Sequence, residues 1–299
     1  GTAPSALLSN SAGPSPGGTF DSNGVRIRYV SEGTGEAVVL IHGWLSDATM
    51  WGRDAKGNPK LTPVPGFQVV ALDCRGHGKS DKPHEAGRYG AEMAADVVRL
   101  LDHLKIKKAH LIGYSMGAFI AGKVVAGHPD RVLSVIYGGQ APLLKGEAGS
   151  KEIEVFAKAV ENGKGMGPYL NYVRPELDPA VADGLAKMMY EGKDLKAWAL
   201  AGLSFSGLEV KLEEWKRFLG RSLFVYGSKE VESTQARVAN LIKQIASAEV
   251  KVVEGGDHIT TLSKPSFRNA IAEFLKSQKG IDYPFKTHPF GSITGVEPE

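Results

Sequence analysis

Along this chain, apolar and polar positions follow two alternating patterns. Val25 to Val30 (VRIRYV) switches between apolar and polar residue by residue, as a half-exposed strand does. Ala37 to Ile41 (AVVLI) is apolar throughout, as a strand covered on both faces would be. Phe67 to Leu72, Ala109 to Ile112, Val132 to Tyr137, Ser222 to Tyr226 and Glu249 to Val253 are further short strand-like runs. Between them lie segments of helical period. In Tyr89 to Leu104, the residues Met93, Val97, Leu100, Leu101 and Leu104 fall on one face, and Ser266 to Ser277 repeats the pattern near the end. Strand and helix in alternation predict an α/β fold with a mostly parallel central sheet flanked by helices.

The alternation stops between residues 141 and 220. There Lys151 to Glu161, Pro179 to Tyr190 and Leu208 to Leu219 are periodic as helices, and no segment is convincing as a strand. The expected organisation is a core made of residues 19–140 and 221–279, with a helical lid of residues 141–220 inserted over one end of the sheet. Residues 1–18 are uncharged and rich in Ser, Pro and Gly, so they are expected to be a disordered leader, and residues 280–299 an extended tail. The leader lacks the basic start and long apolar centre of an intact signal peptide. The expectation is an exported protein, periplasmic or secreted, with its signal removed; a cytoplasmic one is the alternative.

Composition narrows the function classes. The 299 residues are 42% hydrophobic and 23% charged, and 36 basic against 33 acidic side chains give a net charge of +3. These charges are mixed along the chain without a dense Lys/Arg block, so nucleic acid is not an expected partner. The longest apolar runs are about five or six residues, against roughly 20 for a membrane-spanning helix. One cysteine, Cys74, allows no internal disulfide, and no Cys/His cluster has zinc spacing, so neither a metal nor a cofactor is expected. The sequence leaves the oligomeric state open.

The chemistry gathers around Gly113-Tyr114-Ser115-Met116-Gly117. Taken alone, Gly-x-Ser-x-Gly is a weak signal, but here it follows an apolar strand and opens a helix, the context of a nucleophile elbow. A turn that sharp strains the serine backbone, and side chains at 113 and 117 would collide with neighbouring elements. A serine hydroxyl needs a base. His258, in the loop after the last strand, is the candidate; His42 shows a different signature, His103, His110 and His128 are expected to be structural, and His84 and His288 lie in loops with no partner in view. A carboxylate must orient the base. The loop after Tyr226 offers Glu230 as first choice and Glu232 as second.

With these residues in place, the sequence resembles the α/β-hydrolase superfamily, in particular its lidded serine esterase and C–C hydrolase branch. The resemblance runs from about Val25 to Ser277. It rests on His42-Gly43-Trp44, Asp73 to Ser80, Gly113 to Gly117, His128 to Val132, the Gly227 to Glu230 loop and His258. It implies a Ser115–His258–Glu230 triad, with glutamate standing where such proteins commonly have aspartate. It also implies an oxyanion hole from the backbone amides of Trp44 and Met116. Asp73, Arg75 and His77 are expected to form a hydrogen-bonded structural turn, with Cys74 packed inside it. The expected activity is cofactor-independent hydrolysis of a small hydrophobic carboxylic ester through an acyl-enzyme. C–C bond hydrolysis by the same triad, or a hydrolase-like receptor with little turnover, are the alternatives. A nucleophilic aspartate would point to epoxide or haloalkane chemistry, and serine at 115 argues against both. Phe156, Met166, Tyr169, Met188, Met189, Tyr190, Trp198 and Phe205 are the lid residues from which a substrate wall would be drawn.

Overall fold

The computed structural model describes residues 16–62 and 64–282. The first half contains β1 (Gly17–Asp21), β2 (Arg26–Gly33), β3 (Glu36–Ile41), β4 (Phe67–Leu72), α1 (Ala91–His103), β5 (Ala109–Tyr114), α2 (Met116–Gly127) and β6 (Val132–Gly138). An insertion follows, comprising α3 (Lys151–Glu161), α4 (Gly167–Val173), α5 (Pro179–Tyr190), α6 (Leu195–Leu203) and the single turn α7 (Leu212–Trp215). The chain then returns to the sheet with β7 (Ser222–Gly227), α8 (Glu232–Ile242), β8 (Ala248–Val253) and α9 (Pro265–Gln278).

The eight strands form one sheet in the order β1-β2-β4-β3-β5-β6-β7-β8. β1 and β2 run antiparallel to their neighbours, and every pair from β4 to β8 is parallel. Each strand feeds its two faces alternately. Val39 and Ile41 of β3 pack with α1, α2 and α8 on one side, whereas Val38 and Leu40 pack with Phe267, Phe274 and Leu275 of α9 on the other. The insertion holds a smaller apolar cluster of its own around Phe156, Tyr169, Ala186 and Trp198, against which Trp44 of the core packs.

The order of the strands determines where a ligand can sit. From β3 the chain moves outward to β4, then crosses back to β5 on the other side of β3. Such a reversal opens a crevice beyond the carboxyl ends of β3 and β5, because the two connections leave in opposite directions. Trp44 and Ser115 stand at those two ends.

Two boundaries differ from the sequence reading. The residues Gly17 and Gly18 belong to β1, a strand held by its pairing with β2. Residues 1–15 of the expected leader and 283–299 of the expected tail, including His288, lie outside the described residues. Within Leu208 to Leu219 only Leu212–Trp215 is α-helical, and Leu208 ends a 3-10 turn. Val210 is instead held in a parallel bridge to Leu144, with its amide donating to Leu143 O at 2.8 Å and its carbonyl accepting from Lys145 N at 3.1 Å. Those bonds pinch the two ends of the insertion together before the chain rejoins the sheet.

Candidate active site

The elbow is built from close approaches that only glycine permits. A Cβ on Gly113 would lie 2.0 Å from Gly117 O, and one on Gly117 would lie 1.9 Å from Ile41 O. Between them Ser115 is held at φ 55° and ψ −117°, a conformation costly for any residue with a side chain. The amide of Ser115 donates to Gly138 O at 2.8 Å, and α2 begins at the next residue. The hydroxyl therefore stands at a helix N-terminus, where first-turn amides have no intrahelical acceptor and partial positive charge gathers.

Two loops from neighbouring strands meet this serine. The ring of His258 contacts Ser115 Oγ through Nε2 at 2.9 Å and Glu230 Oε2 through Nδ1 at 2.8 Å. Glu230 is buried, and its other oxygen accepts from Val231 N at 3.0 Å. Glu232 opens α8 and is exposed, pointing to a different environment. The Glu230 and His258 loops are fastened to each other by the Lys229 amide, which donates to Gly256 O at 2.8 Å. The His258 loop is stiffened further by Asp257, whose carboxylate accepts from the amides of Ile259 and Thr260 and from the Thr260 hydroxyl. These bonds, that of the Thr260 amide foremost, hold the Asp257 carboxyl below its usual range.

Sequence reasoning missed Tyr114. Its hydroxyl donates to the carbonyl of His258 at 2.6 Å, so the residue before the serine also holds the backbone of the His258 loop. Burial pushes this phenol well above its usual range, which keeps it a neutral donor. Nothing local to Gly113–Gly117 signals that contact, because its partner lies 144 positions away.

The loop after β3 arrives from the other side. A Cβ on Gly43 would touch Ser115 Cβ at 3.4 Å, so His42-Gly43-Trp44 lies directly against the serine. His42 anchors it: Nε2 accepts from Cys74 N at 2.9 Å and Nδ1 donates to Gly43 O at 2.7 Å. Burial lowers the pKa of this imidazole, consistent with a neutral ring that both accepts and donates. Trp44 and Met116 thus flank Ser115 from two separate elements. Leu45, next in the loop, is itself at φ 66°.

The Asp73 to Ser80 segment is a hydrogen-bonded turn. Asp73 accepts from Ala48 N and Lys79 N, and Arg75 makes a two-pronged pair with buried Asp96 at 2.7 and 2.6 Å. His77 donates from Nδ1 to Arg75 O, and burial drives its pKa down to about 3. Its ring packs at 6.1 Å from Trp198. His84, expected to have no partner, meets both oxygens of Asp194 at 3.0 and 2.8 Å. Met188 and Met189 are 73% and 53% exposed, which removes them from the expected substrate wall.

A second Ser–His–Glu grouping shows what the first one adds. His110 contacts Ser134 Oγ at 2.7 Å and Glu36 at 3.4 Å, across β5, β6 and β3. Ser134 and His110 are wholly buried inside β6 and β5, where the pairing of the two strands shifts register. Residue types and distances resemble those of the first site, but no backbone turn presents the hydroxyl and no surface reaches it.

Comparison with known proteins agrees with the architecture. A family model described as the alpha/beta hydrolase fold matches residues 36–159. The dihydrolipoyllysine-residue acetyltransferase component of the acetoin cleaving system of Cupriavidus necator is 30% identical over 273 residues, which are 84% of this chain and 66% of that protein. An epoxide hydrolase of Caballeronia sordidicola is 30% identical over 165 residues, 54% of this chain and 47% of its own. The matches thus span about half to two thirds of these relatives' length. A solved structure described among the carboxylesterases of Nitrososphaera gargenis superposes with a TM-score of 0.69 at 20% identity, covering 88% of this chain and 98% of that one. At that identity the likeness speaks for the fold, and it is the same fold that the strand order and the elbow describe: the chain has the α/β-hydrolase fold, whose family model its residues 36–159 match.

Proposed function

We propose that the protein is a serine hydrolase of carboxylic esters, acting through an acyl-enzyme on Ser115. The observation that carries this reading is the continuous contact from Ser115 Oγ to His258 Nε2 at 2.9 Å and from His258 Nδ1 to buried Glu230 at 2.8 Å. With Nδ1–H bound to the carboxylate, the lone pair of Nε2 faces the hydroxyl. Ser115 Oγ adds to the ester carbonyl while its proton passes to His258. The carbonyl oxygen, now an anion, is met by the amides of Trp44 and Met116. His258 returns the proton to the departing alcohol. Water then attacks the acyl group by the same route and releases the acid.

Serine at the elbow supports this reading over the epoxide chemistry named for one relative, since epoxide opening is the chemistry of an aspartate nucleophile and attack on an acyl carbonyl that of a base-activated serine. The helical insertion would act as the lid, supplying the apolar wall for the acyl or alcohol group from buried residues such as Phe156, Trp198 and Phe205. The test is a panel of p-nitrophenyl esters of increasing acyl length, run beside fluorophosphonate labelling with identification of the labelled residue. Hydrolysis together with a label on Ser115 is expected. Labelling elsewhere, or turnover that survives Ser115→Ala, would overturn the assignment.

A further inference from the structure

The Trp44 side chain is held in place by the insertion, not by the sheet that carries its backbone. Its indole N–H donates to the carbonyl of Trp198, in α6, at 2.8 Å. Phe156, Tyr169 and Phe205 meet the ring edge-on at 4.9, 6.1 and 6.2 Å. Gly202, one turn beyond Trp198, leaves room for the ring: a Cβ there would lie 2.9 Å from Trp44 Cζ2.

Helix α6 is in turn fixed to the core at both ends. Asp194, whose carboxylate caps its first turn, pairs with His84 at 2.8 Å. Ser204, just past its last turn, accepts from the amide of Gly90 at 2.9 Å through its hydroxyl. With the indole contact between them, α6 is tied to the sheet half of the molecule at three points. The loop it grips has its own reason to move, because Leu45 follows Trp44 in a left-handed conformation that costs a non-glycine residue about 1–2 kcal/mol. His42 restrains that loop on the sheet side. On the side of the insertion it is held by the indole, whose N–H makes the directional contact, and by Leu45, which packs against the insertion's apolar cluster.

We infer that α6, through the Trp198 carbonyl, positions the backbone amide of Trp44, so that the indole of Trp44 acts as a positioning group for the oxyanion hole. This rests on the serine-hydrolase reading and adds to it a dependence of transition-state binding on a helix outside the α/β core. An amide displaced by about 1 Å stabilises the ester ground state little differently but stabilises the anion much less. The effect should therefore appear in kcat and in the affinity for a tetrahedral mimic, with KM little changed.

The experiment compares the parent protein with Trp44→Phe, and with Trp44 replaced by 3-benzothienylalanine, which keeps the ring shape and removes only the N–H. Kinetics on one p-nitrophenyl ester are measured beside inhibition by an alkylboronic acid. Ser115 Oγ adds to boron, its proton passing to His258, and an oxygen of the adduct takes the oxyanion position. The expected result for both variants is kcat lowered about 10- to 100-fold, boronate affinity lowered in parallel, and KM within about twofold. The inference is overturned if both variants keep kcat within twofold, or if KM alone rises while boronate affinity is unchanged, which would make Trp44 only a pocket wall. A parent protein that neither hydrolyses esters nor labels at Ser115 would instead overturn the serine-hydrolase reading itself, and this inference with it.

Discussion

Replacing Glu230 with glutamine is the most demanding test of the triad, because the structure limits how the amide can be accommodated. Two N–H groups converge on this carboxylate: His258 Nδ1 on one oxygen at 2.8 Å and the Val231 amide on the other at 3.0 Å. A glutamine offers one acceptor for these two donors. If its NH2 faces His258, the ring must accept at Nδ1 and carry its proton on Nε2, where it faces Ser115 as a donor and cannot take the serine proton. If its oxygen faces His258, the tautomer survives, but the imidazolium loses its negative partner and Val231 N–H meets an NH2. Either arrangement removes what the carboxylate supplies. The expected loss is about 10⁴ in kcat, or about 5.5 kcal/mol of transition-state stabilisation. Glu230→Asp keeps the charge but withdraws the oxygens by roughly one C–C bond, about 1.5 Å. The hydrogen bond becomes a longer contact, and the expected loss is nearer 10². Steady-state hydrolysis of a p-nitrophenyl ester measures both, with the exposed Glu232→Gln as a control that stays near parent activity. Retention of more than about a tenth of parent kcat in Glu230→Gln, or a larger loss in Glu232→Gln, would refute the assignment.

Ser115→Ala and Ser115→Gly should both abolish turnover, but urea denaturation should find the glycine variant more stable than the alanine one by about 1–2 kcal/mol, because glycine relieves the positive-φ strain; equal stability would mean that the elbow stores no strain. In ester chain-length profiles, Trp198→Phe is expected to shift the preferred acyl group while exposed Met189→Ala leaves it unchanged, and a profile insensitive to both would assign substrate choice elsewhere. Buried His77 titrates at about 3 in the fold against 6.5 in its absence, so its neutral form favours folding above about pH 6.5. That contribution falls by up to about 1.4 kcal/mol per pH unit as pH drops towards 3. Denaturation of His77→Leu at pH 7 and pH 5 should accordingly show a shallower acid loss than the parent, and an equally steep one would exclude His77 as a source.

The parts of this fold that the sequence made legible are those with a strong local period. The strands from β3 to β7 and the helices α1, α3 and α9 carry runs or stripes whose burial follows from their own residues. The elbow was legible too, since two glycines around a serine have a steric reason visible in five residues. What failed was decided at a distance. β1 is a glycine-led strand with no alternation, and only its neighbour β2 makes it one. Leu208 to Leu219 has helical spacing, but the bridge from Val210 to Leu144 claims its first half. Glu230 and Glu232 differ by two positions in one loop, and only the start of α8 decides which is buried and which faces solvent. The pairing of His84 with Asp194 joins residues 110 positions apart, beyond the reach of any local pattern.

The pinched stem between Leu144 and Val210 has a consequence for how this scaffold can change. From the side of the sheet, everything between those residues is a loop whose ends are already closed, and lengthening such a loop costs only as the logarithm of its size. On the sheet side of the stem, β6 and β7 pair directly with each other, from Val135 with Ser222 to Gly138 with Val225. The crossing therefore works as a splice port: helices of another shape can be grafted between the same two ends. A graft would spare the strand ends carrying Ser115, Glu230 and His258, provided it also brought a carbonyl for the indole of Trp44 to grip.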